Sequence, residues 1–339
     1  MSQRWLGALG LLLVLVLPPG ARADHAYVSN EGAGTVSVID TDTLQLVRTV
    51  AVGKRPRGLR LSHDGARLYV AVSGVPSCGA PAGDIDCDPL KHDLFGDGVA
   101  VVDTRALKVL RTLQAGSDPQ QLDPTPEGRR VFVTNADGAS VSVVDGLTGN
   151  FITRISVGRG PEAVRISPDG AWAFAVSATD GTASLIDTHL LQLARTVSGV
   201  GQRPRDATFS ADSRAAYVLS ELDASLYRID IPAGAVQRLV ELRKADHPWA
   251  LALDAPEHRL YVSTARASTV NVIALDHPRV TAEIHVGTRP RGLGLTHNRA
   301  RLLVANSGSN TVSVIDTVTF RVVQTVPVGR SPWGIAVGY

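Results

Sequence analysis

Apolar residues in this chain come in short Val- and Ile-rich runs, each cut off by a turn signal. The runs alternate apolar with small polar positions, the period of a strand rather than of a helix. Aligned on one such run the chain repeats itself: AYVSN (26–30), LYVAV (68–72), VFVTN (131–135), AFAVS (173–177), AYVLS (216–220), LYVST (260–264) and LLVAN (302–306). The spacing is about 42 residues, the period of a repeat architecture.

A second run follows each of these: VSVID (36–40), VAVVD (99–103), VSVVD (141–145), ASLID (183–187), LYRID (226–230), VNVIA (270–274) and VSVID (312–316). Six of them end in aspartate, whose short carboxylate can accept from backbone N–H groups of the next turn. Asp40, Asp103, Asp145, Asp187, Asp230 and Asp316 are therefore expected to be structural. A further run closes on glycine, as in RTVAVG (48–53), RTLQAG (111–116), TRISVG (153–158), AEIHVG (282–287) and QTVPVG (324–329). The glycine is expected to free the backbone to turn. Next comes a Pro-led run ending in a turn such as SPDG (167–170), SHDG (62–65) or TPEG (125–128).

Four strands per unit and seven units predict an all-β, seven-bladed β-propeller of four-stranded blades. A small sheet with two apolar faces buries both only by stacking between neighbours. The count also predicts the closure. The chain from Asp24 starts at a second strand, and PWGIAVGY (332–339) is a first strand with no successor. The C-terminal strand should complete the N-terminal blade and hide two sheet edges.

Residues 1–23 read as a secretory signal peptide: Arg4, an apolar run from Leu6 to Leu17, Pro18 and Pro19, and the A-x-A stop Ala21–Ala23. Its 12 apolar residues fall short of the ~20 a spanning helix needs. A single domain over 24–339, periplasmic or secreted and without a membrane span, is the expectation. Removing 1–23 takes Arg4 and Arg22 but no acid, leaving 32 basic against 32 acidic groups. That balance argues against nucleic acid as a partner. Cys78 and Cys87 share one loop and, in an oxidising compartment, are expected to form a disulfide. C-x-x-C-H is absent and the only methionine is Met1, so neither covalent nor Met-ligated haem is expected.

YVSN, TVSVIDT, VAVG, RPRGL and SPDG resemble the YVTN family of β-propeller repeats, over essentially the whole of 24–339. SNEGAGTVSVID and VGRSPWGIAV further resemble the exported propellers associated with pyrroloquinoline quinone-dependent alcohol catabolism. More distantly the pattern is similar to the d-type-haem domain of nitrite reductase and the heavy chain of methylamine dehydrogenase. The resemblance implies an exported dehydrogenase, a cytochrome or a transport component as partner. These motifs are strand and turn residues, so they speak for fold more than for function.

In a propeller the first strands line the central channel. The residue after each leading Pro then forms a ring at one mouth: Arg57, Gln120, Glu162, Arg205, Trp249, Arg291 and Trp333. Trp249, Arg291, Trp333 and Arg57 fall on consecutive blades, where flat apolar faces beside fixed guanidinium forks would suit a planar carboxylated ligand such as pyrroloquinoline quinone, or an acidic loop of a partner. The bland alternative is that these side chains pack the mouth and pair with one another, Arg with Glu162 or stacked on Trp.

Blade two carries an insertion over 73–98 that holds both cysteines and Asp84, Asp86, Asp88, Asp93 and Asp97. A lid or docking element is the expectation. Asp84, Asp86 and Asp88 are weak calcium candidates, because the Gly and Glu of the helix-loop-helix calcium site are missing. Of the histidines, only His92 and His247 fall on the channel face; His63, His258 and His297 sit in turn positions. No nucleophile-and-base motif surrounds either. The residues therefore favour a binding or accessory protein, with a propeller enzyme of the lactonase or lyase type, or a non-catalytic oxidoreductase subunit, as alternatives.

Overall fold

The computed structural model describes residues 24–74, 93–256 and 258–338. Seven antiparallel sheets of four strands each make up the ring. Blade one consists of the C-terminal strand Pro332–Val337 followed by His25–Asn30, Thr35–Asp40 and Leu46–Ala51. Tyr27 pairs with Ala336 and Val28 with Ile335, so the last strand of the chain is the innermost strand of the first blade. The other six blades run in sequence order, with inner strands at Leu59–Leu61, Pro119–Pro124, Pro161–Ile166, Pro204–Phe209, Pro248–Asp254 and Pro290–Leu295.

Burial follows position in the blade. The second strand of blade one is buried at every residue but the first, whereas its outer strand buries Val50 alone. Strands flanked by two sheets need apolar residues on both faces, and a strand on the rim needs one anchor. A separate apolar cluster fills each gap between neighbouring blades. Phe174 and Phe209, edge to face at 6.0 Å, centre the one between blades four and five. Val28, Ile335, Leu303 and Val314 join blade seven to blade one across the closure.

The strand-end aspartates do what their chemistry suggests. Asp40 Oδ1 accepts from the N–H groups of Asp42 at 3.0 Å and Thr43 at 2.7 Å, and Asp316 repeats the pattern with Val318 and Thr319. The closing glycines need a correction. Gly53 and Gly116 take φ of 129° and 121°, as expected of a turn. Gly287 and Gly329 lie outside the left-handed region and are glycine for want of space. A Cβ on them would lie 2.6 Å from the amide of Asn306 or Asn30, the residue that ends the second strand of the next blade.

Cys78, Cys87, Asp84, Asp86, Asp88 and His92, like residues 1–23, lie outside the described residues. The C-terminal root of the insertion is fastened down. Buried Asp97 accepts from Gly74 N at 2.8 Å and Asp118 N at 3.3 Å, and Lys54 pairs with Asp93 at 2.8 Å. Among the described residues no helix is long and apolar enough to cross a membrane.

Candidate functional site at the channel mouth

Two concentric rings meet at the mouth, set by the same turn in every blade. The residue before each leading Pro takes a left-handed backbone: Arg55, Asp118, Gly160, Arg203, His247, Arg289 and Ser331 have φ between 41° and 62°. Six of the seven are not glycine, so the scaffold holds strained positions that carry side chains. The residue after the Pro starts the inner strand.

These side chains fall into two clusters, each built on a glutamate directly after a second strand. Glu31 of blade one is the hub of the first. Its Oε1 accepts from Arg57 Nε at 3.0 Å and Arg55 Nη2 at 3.2 Å, both of blade two, and its Oε2 from Arg291 Nη1 of blade seven at 2.9 Å. Arg57 also donates to Gln120 and lies 3.5 Å from Asp118, whose carboxylate takes bonds from Gln120 Nε2 at 2.6 Å and Ser73 Oγ at 2.8 Å. Burial would push the Glu31 carboxyl up, but Arg57, Arg291 and Arg55 outweigh it and hold it at about 2. Asp118 adds a second carboxylate to the three guanidiniums of this cluster. Burial lowers Arg57, but Glu31, Asp118 and Glu162 outweigh that and raise it. Arg291 and Arg55 are held below their usual value, by burial first.

Glu221 of blade five is the second hub. Arg205 Nε binds its Oε2 at 2.5 Å, Arg203 Nε approaches to 3.4 Å, and His247 Nδ1 lies 3.2 Å from Oε1. The other end of Arg205 meets Glu162 at 2.6 Å. Burial again opposes, and Arg205, the His247 bond and Arg203 prevail, so the Glu221 carboxyl is lowered. Because a carboxylate only accepts, Nδ1 carries the hydrogen of this contact. The His247 side chain is 34 % exposed while Glu221 is buried.

Trp249 joins the clusters: the Arg205 guanidinium lies 4.2 Å and that of Arg291 4.8 Å from its ring centroid. Trp333 sits deeper. It is buried and lines, with Gly58, Gly292 and Gly334, a constricted cavity of about 50 Å³ inside the channel. That volume holds a few waters at most, so a ligand here would rest on the mouth rather than enter.

Of the residues expected at the mouth, Arg57, Gln120 and Arg291 join the first cluster, and Arg205, Glu162 and His247 the second. Trp249 lies between them and Trp333 below. Glu31, Asp118 and Glu221 were not anticipated, nor were the pre-proline Arg55, Arg203 and Arg289. The slot that holds both glutamates holds Ser73, Ala136, Ala178, Ala265 and Ser307 in the other blades, and that contrast was the available signal. Among the described residues, the rings set Arg55, Arg57, Arg203, Arg205, Arg289 and Arg291 beside Glu31, Asp118, Glu162 and Glu221, six arginines to four carboxylates. Among the described residues no group of acids, histidines and cysteines could hold a metal ion.

The fold and mouth define a seven-bladed propeller with an arginine-rich channel face. A sequence model of the family described as Lactonase, 7-bladed beta-propeller matches residues 174–321, a stretch that includes Arg205, Glu221, His247, Trp249 and Arg291. The chain is similar to the uncharacterized protein YncE of Salmonella typhi, with 47% identity over 49 residues, 14% of each protein. It is also similar to antigen Lp49 of Leptospira interrogans, with 28% identity over 116 residues, 34% of this chain and 24% of that protein. The chain thus spans well under two thirds of these curated relatives.

Among solved structures, a chain of Kuenenia stuttgartiensis hydrazine synthase superposes with a TM-score of 0.74 at 19% identity, covering 91% of this chain and 99% of that one. A putative 6-phosphogluconolactonase from Bacteroides fragilis gives 0.75 at 17%, covering 95% and 100%. Dihydro-heme d1 dehydrogenase NirN in complex with DHE gives 0.65 at 14%, covering 95% and 78%. At these identities the likeness is one of fold.

Proposed function

We propose that this is an exported, periplasmic or secreted, binding propeller. Its channel mouth recognises a planar anion, pyrroloquinoline quinone or a ligand of similar shape and charge, in support of a quinoprotein dehydrogenase, cytochrome or transport component. The observation that carries this reading is the arginine-rich mouth, six arginines to four carboxylates among the described residues, with Arg57 and Arg291 converging on Glu31 and Arg291 stacked on Trp249. Guanidiniums stay charged and offer planar forks to carboxylates, so the surplus draws anions to the face. The resemblance to propellers of quinone-dependent alcohol catabolism agrees with it. Isolation from the native compartment followed by mass spectrometry tests it: a bound planar acid or a co-purifying dehydrogenase, cytochrome or transport component is expected. Protein that carries neither would count against it.

A second reading is lactone hydrolysis. It rests on Glu221 and His247, which the matched family segment includes. With Nδ1–H donated to Glu221, Nε2 of the neutral ring would take a proton from water attacking a lactone carbonyl, with Arg205 or Arg291 near the developing oxyanion; collapse of the adduct would break the ring C–O bond, and Nε2–H would return the proton to the leaving alkoxide, giving the hydroxy acid. Turnover of lactones by the pure protein, abolished in His247→Ala with the melting temperature unchanged, would favour this reading. Absence of turnover across a lactone panel removes it.

A further inference from the structure

The opposite end of the channel holds a larger pocket, of about 460 Å³, on the face away from the arginine rings. Its wall is divided by blade. The fourth residue after each leading Pro faces it, and blades two, three and four place Arg60, Asp123 and Arg165 there. Blades six, seven and one place Ala252, Gly294 and Ala336 in the same slot, backed by Leu251, Leu293 and Ile335. The result is one charged side and one apolar side around a space of ligand size.

The charges are unequally committed. Asp206, just above, is bound to Arg165 Nη2 at 2.6 Å and accepts from the N–H groups of Ala207 and Leu251. Asp123 accepts from Ile166 N at 2.8 Å and only loosely from Arg60 Nε at 3.4 Å. Arg60 otherwise donates only to the carbonyl of Leu59, at 3.1 Å, leaving much of its fork without a partner among the described residues. Burial holds the Arg60 guanidinium down at about 10, with the Arg165 charge adding to it, and burial raises the Asp123 carboxyl. His63 lines the outer rim.

We infer that this lower pocket is a second binding site, for a small monocarboxylate with an apolar body. Its carboxylate would lie on the open side of Arg60 and its hydrocarbon against the Ala252, Gly294 and Ala336 wall. An incoming carboxylate supplies the close, charge-assisted partner that Asp123 does not. The apolar side gains by covering the hydrocarbon.

Calorimetric titration with hexanoate and with 1-hexanol, on the purified protein, tests the inference. Saturable hexanoate binding is expected, about tenfold or more tighter than the alcohol. Arg60→Gln should erase that preference, while Arg48→Gln, exposed on the outer strand of blade one and outside both sites, should keep it within about twofold. Should Arg60→Gln not fold, Ala252→Leu, which fills the apolar side and leaves the arginines in place, should abolish binding of both compounds. Equal affinity for acid and alcohol, or no saturable hexanoate binding, overturns the inference. So does loss of binding in the mouth variant Arg289→Gln with retention in Arg60→Gln, which would place the carboxylate at the mouth.

Discussion

Arg291 Nη1 donates to Glu31 Oε2 at 2.9 Å across 260 residues of sequence. The pair joins blade seven to blade one, and the other oxygen of Glu31 carries the link on to Arg57 and Arg55 of blade two. The ion cluster therefore spans the blade that closes the ring, on the same face as the candidate site. The proposed recognition site and the closure of the ring share one carboxylate.

Glu31 should accordingly govern acid stability. Its folded pKa of about 2 lies below the ordinary 4.5, so its contribution is fully present above pH 4.5 and is lost as pH falls toward 2. Glu31→Gln leaves buried guanidiniums uncompensated and should cost about 3 kcal/mol at neutral pH. Urea titrations across that range should show a shallower acid decline for the variant than for the parent. Parallel declines would assign the acid sensitivity to other groups.

The closure itself is testable by truncation. A chain ending at Gly329 lacks the inner strand of blade one, exposes the edge of His25–Asn30 and removes Ile335 and Trp333 from the packing. Loss of cooperative unfolding in calorimetry is expected, since a propeller stack depends on every interface being filled.

Gly287 offers a cleaner probe of blade packing than any turn glycine. A Cβ there would lie 2.5 Å from Ser309 Oγ and 2.6 Å from Asn306 Cγ, with no left-handed backbone to add its own penalty. Gly287→Ala should destabilise by about 1–3 kcal/mol through contact alone. Gly65, whose Cβ would meet nothing within 4 Å, should lose only the smaller backbone term at φ 65° on mutation to Ala.

Strand order, blade count and closure were legible in the sequence because Val and Ile alternation and the strand-end aspartates repeat with the fold. The post-proline ring, with Arg57, Arg205 and Arg291, was legible because a leading proline marks each inner strand; the pre-proline Arg55, Arg203 and Arg289 were not read. Glu31 and Glu221 were not, since a ring read one slot at a time misses partners that arrive from the loop of a different strand. Trp333 shares the post-proline slot with Arg57 and Arg291, yet is buried beside Gly58, Gly292 and Gly334 in the channel. Its depth depends on those neighbours rather than on the repeat. The Pro+4 slot was visible throughout, but its segregation into a charged and a small-residue side acquires meaning only once the blades are set in a circle.

The most direct measurement is a calorimetric titration of the protein with pyrroloquinoline quinone at low and at about 0.5 M salt, with an Arg203→Gln, Arg289→Gln variant alongside. Both substituted residues are exposed at the mouth and outside the Glu31 hub. Saturable binding that weakens with salt, and weakens about tenfold or more in the variant, is the expected result. Absence of binding, or binding indifferent to salt and to both substitutions, would contradict recognition of a planar anion at the arginine-rich mouth.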